Sequence, residues 1–177
     1  MGIQLRAAIA ALLGVLAATP SQAGMGVLVT SQYAPGEVAL LAQRGMPTVI
    51  VGRVGAAGAE DVIALLRMPG WVPASSFVAT PPTHTGTRLV ILLNPADPVA
   101  AKRGVCCDPA ALSFEGQSTR LVIRAALCDG ERILTRVTAN ETPVSGADDP
   151  RLAWILSQVL ALAFPQSTRF EIDAPGL

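Results

Sequence analysis

The chain has 177 residues, 51% of them hydrophobic and 15% charged, with 13 Lys+Arg balanced by 13 Asp+Glu. A formal charge of zero argues against the basic excess with which a nucleic-acid binder displaces phosphate counterions. So large an apolar share excludes intrinsic disorder, and the 16 Gly and 14 Pro follow no period, which excludes a collagen-like chain.

Residues 1–23 read as a secretory leader. Arg6 supplies the cationic start, and Ala7 to Ala18 form an apolar run too short for a membrane span of about 20 residues. Pro20 ends the run, and Ser21-Gln22-Ala23 offers the small residues that a signal peptidase reads. Cleavage is expected after Ala23, leaving one globular domain over 24–177. Gly24 rather than Cys follows the cut, so no lipid anchor is expected. No later apolar run reaches about 18 residues, so no transmembrane segment is expected in the mature chain. Lys102 is the single lysine in a chain rich in Arg, Ala, Val and Leu, a bias that fits a GC-rich bacterial genome. Export then means a periplasmic or secreted protein. Asn140-Glu141-Thr142 matches a glycosylation sequon, which carries no weight in a bacterium.

In the mature chain, Met25 to Thr30 predicts a buried strand, and Pro35 to Arg44 a short helix stopped by Gly45. Pro47 to Val51 reads as a second strand. Residues 58–67 read as a second helix, with Glu60 and Asp61 complementing the dipole in its first turn. Strands alternating with helices favour neighbouring parallel strands. Residues 69–87 read as irregular, with Pro at 69, 73, 81 and 82. Thr87 to Leu93, apolar on both faces, predicts a central strand. Residues 94–117 read as a long connection.

Arg120 to Thr138 predicts a hairpin turning at Asp129-Gly130. A three-residue loop, Cys128 to Gly130, would pair Ala125 with Ile133, Ile123 with Thr135 and Leu121 with Val137, making one face apolar and leaving Arg124, Arg132 and Arg136 on the other. Asp149 and Pro150 open a helix over 150–163, with Leu152, Ile155, Leu156, Val159 and Leu160 forming an apolar stripe. Arg169 to Ile172 fits a short edge strand. The expected fold is α/β, with α+β as the alternative: a mixed sheet of about five strands with a C-terminal hairpin and a docked C-terminal helix.

Export permits disulfides. Cys107 is the preferred partner of Cys128 because it is nearer in sequence and precedes the turn-forming Asp108-Pro109; Cys106 is the alternative. Vicinal cysteines lack the Cys-x-x-Cys pattern of a redox site, and three Cys with one His, His84, lack metal-ligand spacing, so no metal and no cofactor are expected. The glycines of Gly52-Arg-Val-Gly55-Ala-Ala-Gly58 lie where a phosphate cradle would sit, but their spacing is not the dinucleotide fingerprint. No nucleophile elbow accompanies His84. The acidic pairs Glu60-Asp61 and Asp148-Asp149 fall at helix starts, where capping accounts for them. Arg124, Arg132 and Arg136 form a candidate anion-binding face.

The stretches Arg88 to Pro95, Leu121 to Arg136 with Cys107 before them, and Asp148 to Pro165 together resemble a group of small uncharacterised exported or lipoprotein-like bacterial proteins. The likeness covers the C-terminal half, and the lipobox Cys of the anchored members is missing. At fold level the pattern is similar to the small α/β domains of envelope assembly lipoproteins, which implies no activity. The reading is a non-enzymatic periplasmic or envelope-associated interaction protein, whose partner is an envelope protein or an anionic envelope component. The alternative is a small ligand-binding protein or enzyme using the 52–58 loop or the His84 region.

Overall fold

The computed structural model describes residues 24–30, 32–72, 76–115, 120–141 and 144–167. The expected leader at 1–23 and the edge strand at 169–172 lie outside the described residues.

The fold is α/β, and its sheet is mixed. It has six strands: β1 Gly24–Val29, β2 Met46–Gly52, β3 Phe77–Ala79, β4 Arg88–Leu93, β5 Leu121–Asp129 and β6 Arg132–Glu141. Their spatial order is β1-β6-β5-β4-β2-β3. The strand beyond the expected five is β3, a three-residue edge strand inside the stretch read as irregular. β2 pairs in parallel with both β3 and β4, and the remaining pairings are antiparallel. The expected parallel pairing of the first two strands is not seen. β1 instead closes the opposite edge against β6, its Gly24 facing Asn140 and its Val29 facing Thr135.

β4 is buried at every position, as an apolar strand inside a two-sided sheet must be. Leu89, Ile91 and Leu93 enter a large core on one face, while Val90 and Leu92 enter a smaller one on the other. The large core lies under α1 Pro35–Gln43, α2 Ala59–Leu65 and α4 Pro150–Ala163. The small core lies under α3 Pro98–Gly104 and the chain that follows it. α3 and a 3-10 turn at Pro109–Ala111 occupy the stretch read as a bare connection. Asp97 starts α3 by accepting from the Val99 and Ala100 amides at 2.8 and 3.0 Å, and Asp108 accepts from Ala111 at 3.2 Å.

All five residues of the predicted α4 stripe are buried. Each contributes roughly 1.5–3 kcal/mol of burial. Three side chains then satisfy the carbonyls at the end of this helix. Thr135 Oγ1 donates to Ala163 at 2.7 Å, Trp71 Nε1 to Phe164 at 2.9 Å, and Tyr33 Oη to Pro165 at 2.9 Å.

The hairpin register departs from expectation. Ala125 faces Val137, Ile123 faces Ala139 and Leu121 faces Glu141. The turn is a two-residue Gly130-Glu131 loop closed by the pair Asp129 and Arg132, and the ladder slips between Leu127 and Cys128, leaving Leu134 bulged. Gly130 is left-handed at φ 60°, where glycine has no steric penalty. The later turn and the bulge together displace the partners by an even number, so Leu121, Ile123, Ala125 and Leu127 still face the large core.

Candidate functional site

Three places combine polar groups with shape. The first is the corner around the sulfurs. The disulfide joins Cys106 to Cys128, with Cα atoms 5.6 Å apart. This corrects the preferred Cys107–Cys128 pairing. Both Cys106 and Cys128 are buried in the small core, whereas Cys107 is exposed and free. The α3 turn that sequence proximity overlooked aims Cys106 inward and Cys107 outward. Arg88, 2% exposed, crosses this corner. It donates to the carbonyls of Gly86 and Gly130 at 3.0 Å each and of Cys106 at 2.7 Å. Burial lowers its pKa, and attraction to Cys107 partly offsets that. His84 is half-buried in a turn, its amide donating to Pro81 at 3.0 Å. A cavity of about 370 Å³ is lined by His84, Arg88, Cys106, Cys107, Asp108 and Glu131 among others. Nothing in the sequence signalled the role of Arg88, because an arginine opening a strand is ordinarily solvated.

The second place is the crevice at the carboxyl ends of β2 and β4. These parallel neighbours send the chain to opposite faces of the sheet, β2 to α2 and β4 to α3. Such a divergence leaves an uncovered gap, where open α/β sheets commonly bind ligands. Here the gap is a cavity of about 280 Å³ lined by Val54, Gly55, Asn94, Arg120, Leu121, Val144 and Ser145. Asn94 is left-handed at φ 53°, the single described non-glycine residue with positive φ. Its amide nitrogen donates to Arg53 at 3.0 Å, and its side-chain oxygen accepts from Val122 N–H at 2.9 Å. Those two bonds hold the strained backbone and lock the 52–58 loop to β5. Gly55 is required, since a Cβ there would overlap the Ser145 carbonyl. The Gly58 amide, which a phosphate would need, already donates to the Asp61 carboxylate at 2.9 Å. Capping thus accounts for Asp61, and equally for Asp149, which accepts from the Arg151 amide at 3.1 Å.

The third place is the arginine face. The structure brings Arg124 and Arg136 together and separates Arg132 from them. Arg124 faces Thr138 and Arg136 faces Ala126, which makes the two arginines diagonal neighbours on one face. Both are half-buried. Arg124 donates to Ile123 O at 3.2 Å and Asn140 Oδ1 at 3.3 Å, and Arg136 to the Lys102 carbonyl at 3.4 Å. Neither has a carboxylate partner among the described residues. Burial lowers the pKa of Arg124, and the neighbouring Arg136 lowers it further. Arg132 instead pairs with Asp129 and lines a cavity with Glu37, Val38 and Leu41 of α1.

Among the described residues, no group of three His, Cys, Asp or Glu side chains could hold a metal ion. Nor, among them, is any helix long and apolar enough to cross a membrane. The chain matches no protein-family model, no curated protein and no solved structure.

Proposed function

We propose that the chain is exported, loses residues 1–23 after Ala23, and acts as a non-enzymatic interaction protein of the periplasm or cell envelope that binds an anionic envelope component. The observation that carries this reading is the pair Arg124 and Arg136, two half-buried cations on one sheet face without a described carboxylate between them. Like charges placed side by side are destabilising. An anion between the two guanidinium groups would relieve the repulsion by which Arg136 lowers the pKa of Arg124. The Cys106–Cys128 bridge supports the compartment, because such bonds persist where the surroundings oxidise. The test is fractionation of native cells followed by cross-linking. The chain is expected with the envelope, and the Arg124→Gln/Arg136→Gln double substitution is expected to release it into the soluble fraction. Retention of the variant in the envelope would contradict the reading.

The crevice favours a second reading, a small-ligand site at the 52–58 loop. Its ground is the divergence of β2 and β4 over a cavity held open by Asn94. A rise in melting temperature with an added small ligand, abolished by Ser145→Trp in the exposed wall of the cavity, would favour it; an unmoved melting temperature across phosphates, nucleotides and carboxylates would count against it.

A further inference from the structure

We infer that the open quadrant of the sheet, made by β1, β6 and the start of β5, docks on an anionic phospholipid surface. This deepens the interaction reading above and rests on it.

The large core covers one face of the sheet from edge to edge, since Met25, Val27 and Val29 of β1 pack against it. On the other face the small core, built on β2 and β4, extends over β5 and β6 only as far as Ala126, Cys128 and the partly buried Ile133. Beyond them that face carries Val122 and Arg124 of β5, Arg136, Thr138 and Asn140 of β6, and Gly24, Gly26 and Leu28 of β1. It is uncovered. A Cβ built on Gly24 or Gly26 meets nothing within 4 Å. Leu28, opposite Arg136, is 42% exposed.

Among the described residues the charge on this quadrant has one sign. Arg124 and Arg136 lie on it, and the exposed Lys102 adjoins it through the bond from Arg136 to its carbonyl. The two described ion pairs, Arg132–Asp129 and Arg151–Asp149, both lie elsewhere. Removal of 1–23 would add the α-ammonium of Gly24, whose register partner Asn140 is the residue that Arg124 reaches at 3.3 Å.

A lipid surface fits these features better than a protein does. Stable protein interfaces bury about 800 Å² per partner around a well-packed core. Among the described residues, Leu28 is the one large exposed hydrophobic side chain of this quadrant. A shallow face with guanidinium forks, little bulk and one leucine suits a plane of phosphodiesters, each cation adding its own attraction to the negative surface.

The test is sedimentation of the purified mature chain, bridge intact, with phosphatidylcholine vesicles that contain or lack phosphatidylglycerol. Binding is expected only where phosphatidylglycerol is present, and high salt should reverse it. Arg124→Gln/Arg136→Gln should weaken partitioning about 30-fold, roughly fivefold for each cation. Arg124→Lys/Arg136→Lys should retain most of it, which controls for folding, and Arg132→Gln should leave it unchanged. Equal partitioning onto neutral vesicles, or none onto either, overturns the inference. So does displacement by millimolar inorganic phosphate, which would mark a site for the free ion. If vesicles are ignored while cross-linking in cells still captures an envelope component in an arginine-dependent way, the lipid inference falls and the interaction reading stands.

Discussion

Arg88 Nη2 donates to the carbonyl of Cys106 at 2.7 Å, so the first residue of β4 grips the backbone at the bridged sulfur 18 positions away. Its Nη1 meanwhile serves Gly86 and Gly130, tying the entry of β4 to the hairpin turn. One buried guanidinium thus organises the sulfur corner.

Arg88→Met is therefore expected to destabilise the fold by about 3–5 kcal/mol, because three carbonyls lose their donor in a buried site. Arg88→Lys should recover only part of the loss, since an ammonium cannot span three acceptors in one plane. Urea denaturation of both variants checks this. A loss below about 1 kcal/mol for Arg88→Met would mean that water replaces the guanidinium.

The bridge spans a sequence separation of 22. Closing a loop of that size is worth about 3 kcal/mol. Cys128→Ser and Cys106→Ser should each lose about that much, and Cys107→Ser should change stability by less than about 0.5 kcal/mol. Chemical denaturation of the oxidised proteins distinguishes them. A large loss in Cys107→Ser with none in Cys106→Ser would restore the pairing that sequence proximity favoured.

Tyr33, Trp71 and Thr135 converge on consecutive carbonyls at the end of α4. Tyr33→Phe and Thr135→Val should each cost about 1–2 kcal/mol. The double substitution should cost less than the sum, since the shared helix end frays once either is lost. Strict additivity in a double-mutant cycle would show that the Tyr33 and Thr135 contacts act separately.

Asp149 is held well below the usual carboxylate range, chiefly by the Arg151 guanidinium and further by the Arg151 and Ser145 amides. A depressed folded-state pKa gives stability that is complete above the unfolded value of about 4 and is lost as pH falls below it. Asp149→Asn keeps a capping oxygen and loses the charge. The wild type should exceed this variant in melting temperature at neutral pH, and the difference should shrink steadily as pH falls from about 5 to about 2. A difference independent of pH would assign the effect to the cap alone.

Long apolar periodicity was legible in the sequence. β4 and the α4 stripe follow from it because burial on both faces, or on one helical face, demands a particular spacing. Two short elements escaped. β3 has three residues, too few for a pattern, and α3 lies in a stretch whose prolines read as loop. Yet Asp97-Pro98, Asp108-Pro109 and Asp149-Pro150 each start a helical turn. Only the third reads as a helix start in the sequence, because an apolar stripe follows it. The hairpin faces were legible from Thr135 onward but not at the tip, where Ile133 packs on the small core and Leu134 enters the large one, and the register was not legible at all. Alternation fixes parity alone, and neither the Leu134 bulge nor the turn at Gly130-Glu131 leaves a mark in it. In the candidate site, the sequence groups Arg124, Arg132 and Arg136 on one face, whereas the Leu134 bulge turns Arg132 to the other face, where it pairs with Asp129. Asn94 and Arg88 depend on contacts more than 10 positions away, which local pattern does not carry.

Intact mass of the protein taken from native cells, before and after alkylation, bears most directly on export into an oxidising space. The account predicts an envelope or periplasmic species beginning at Gly24, two hydrogens lighter than its reduced form, that takes up one alkyl group at Cys107. A cytosolic species retaining Met1 and alkylated at all three cysteines would contradict it.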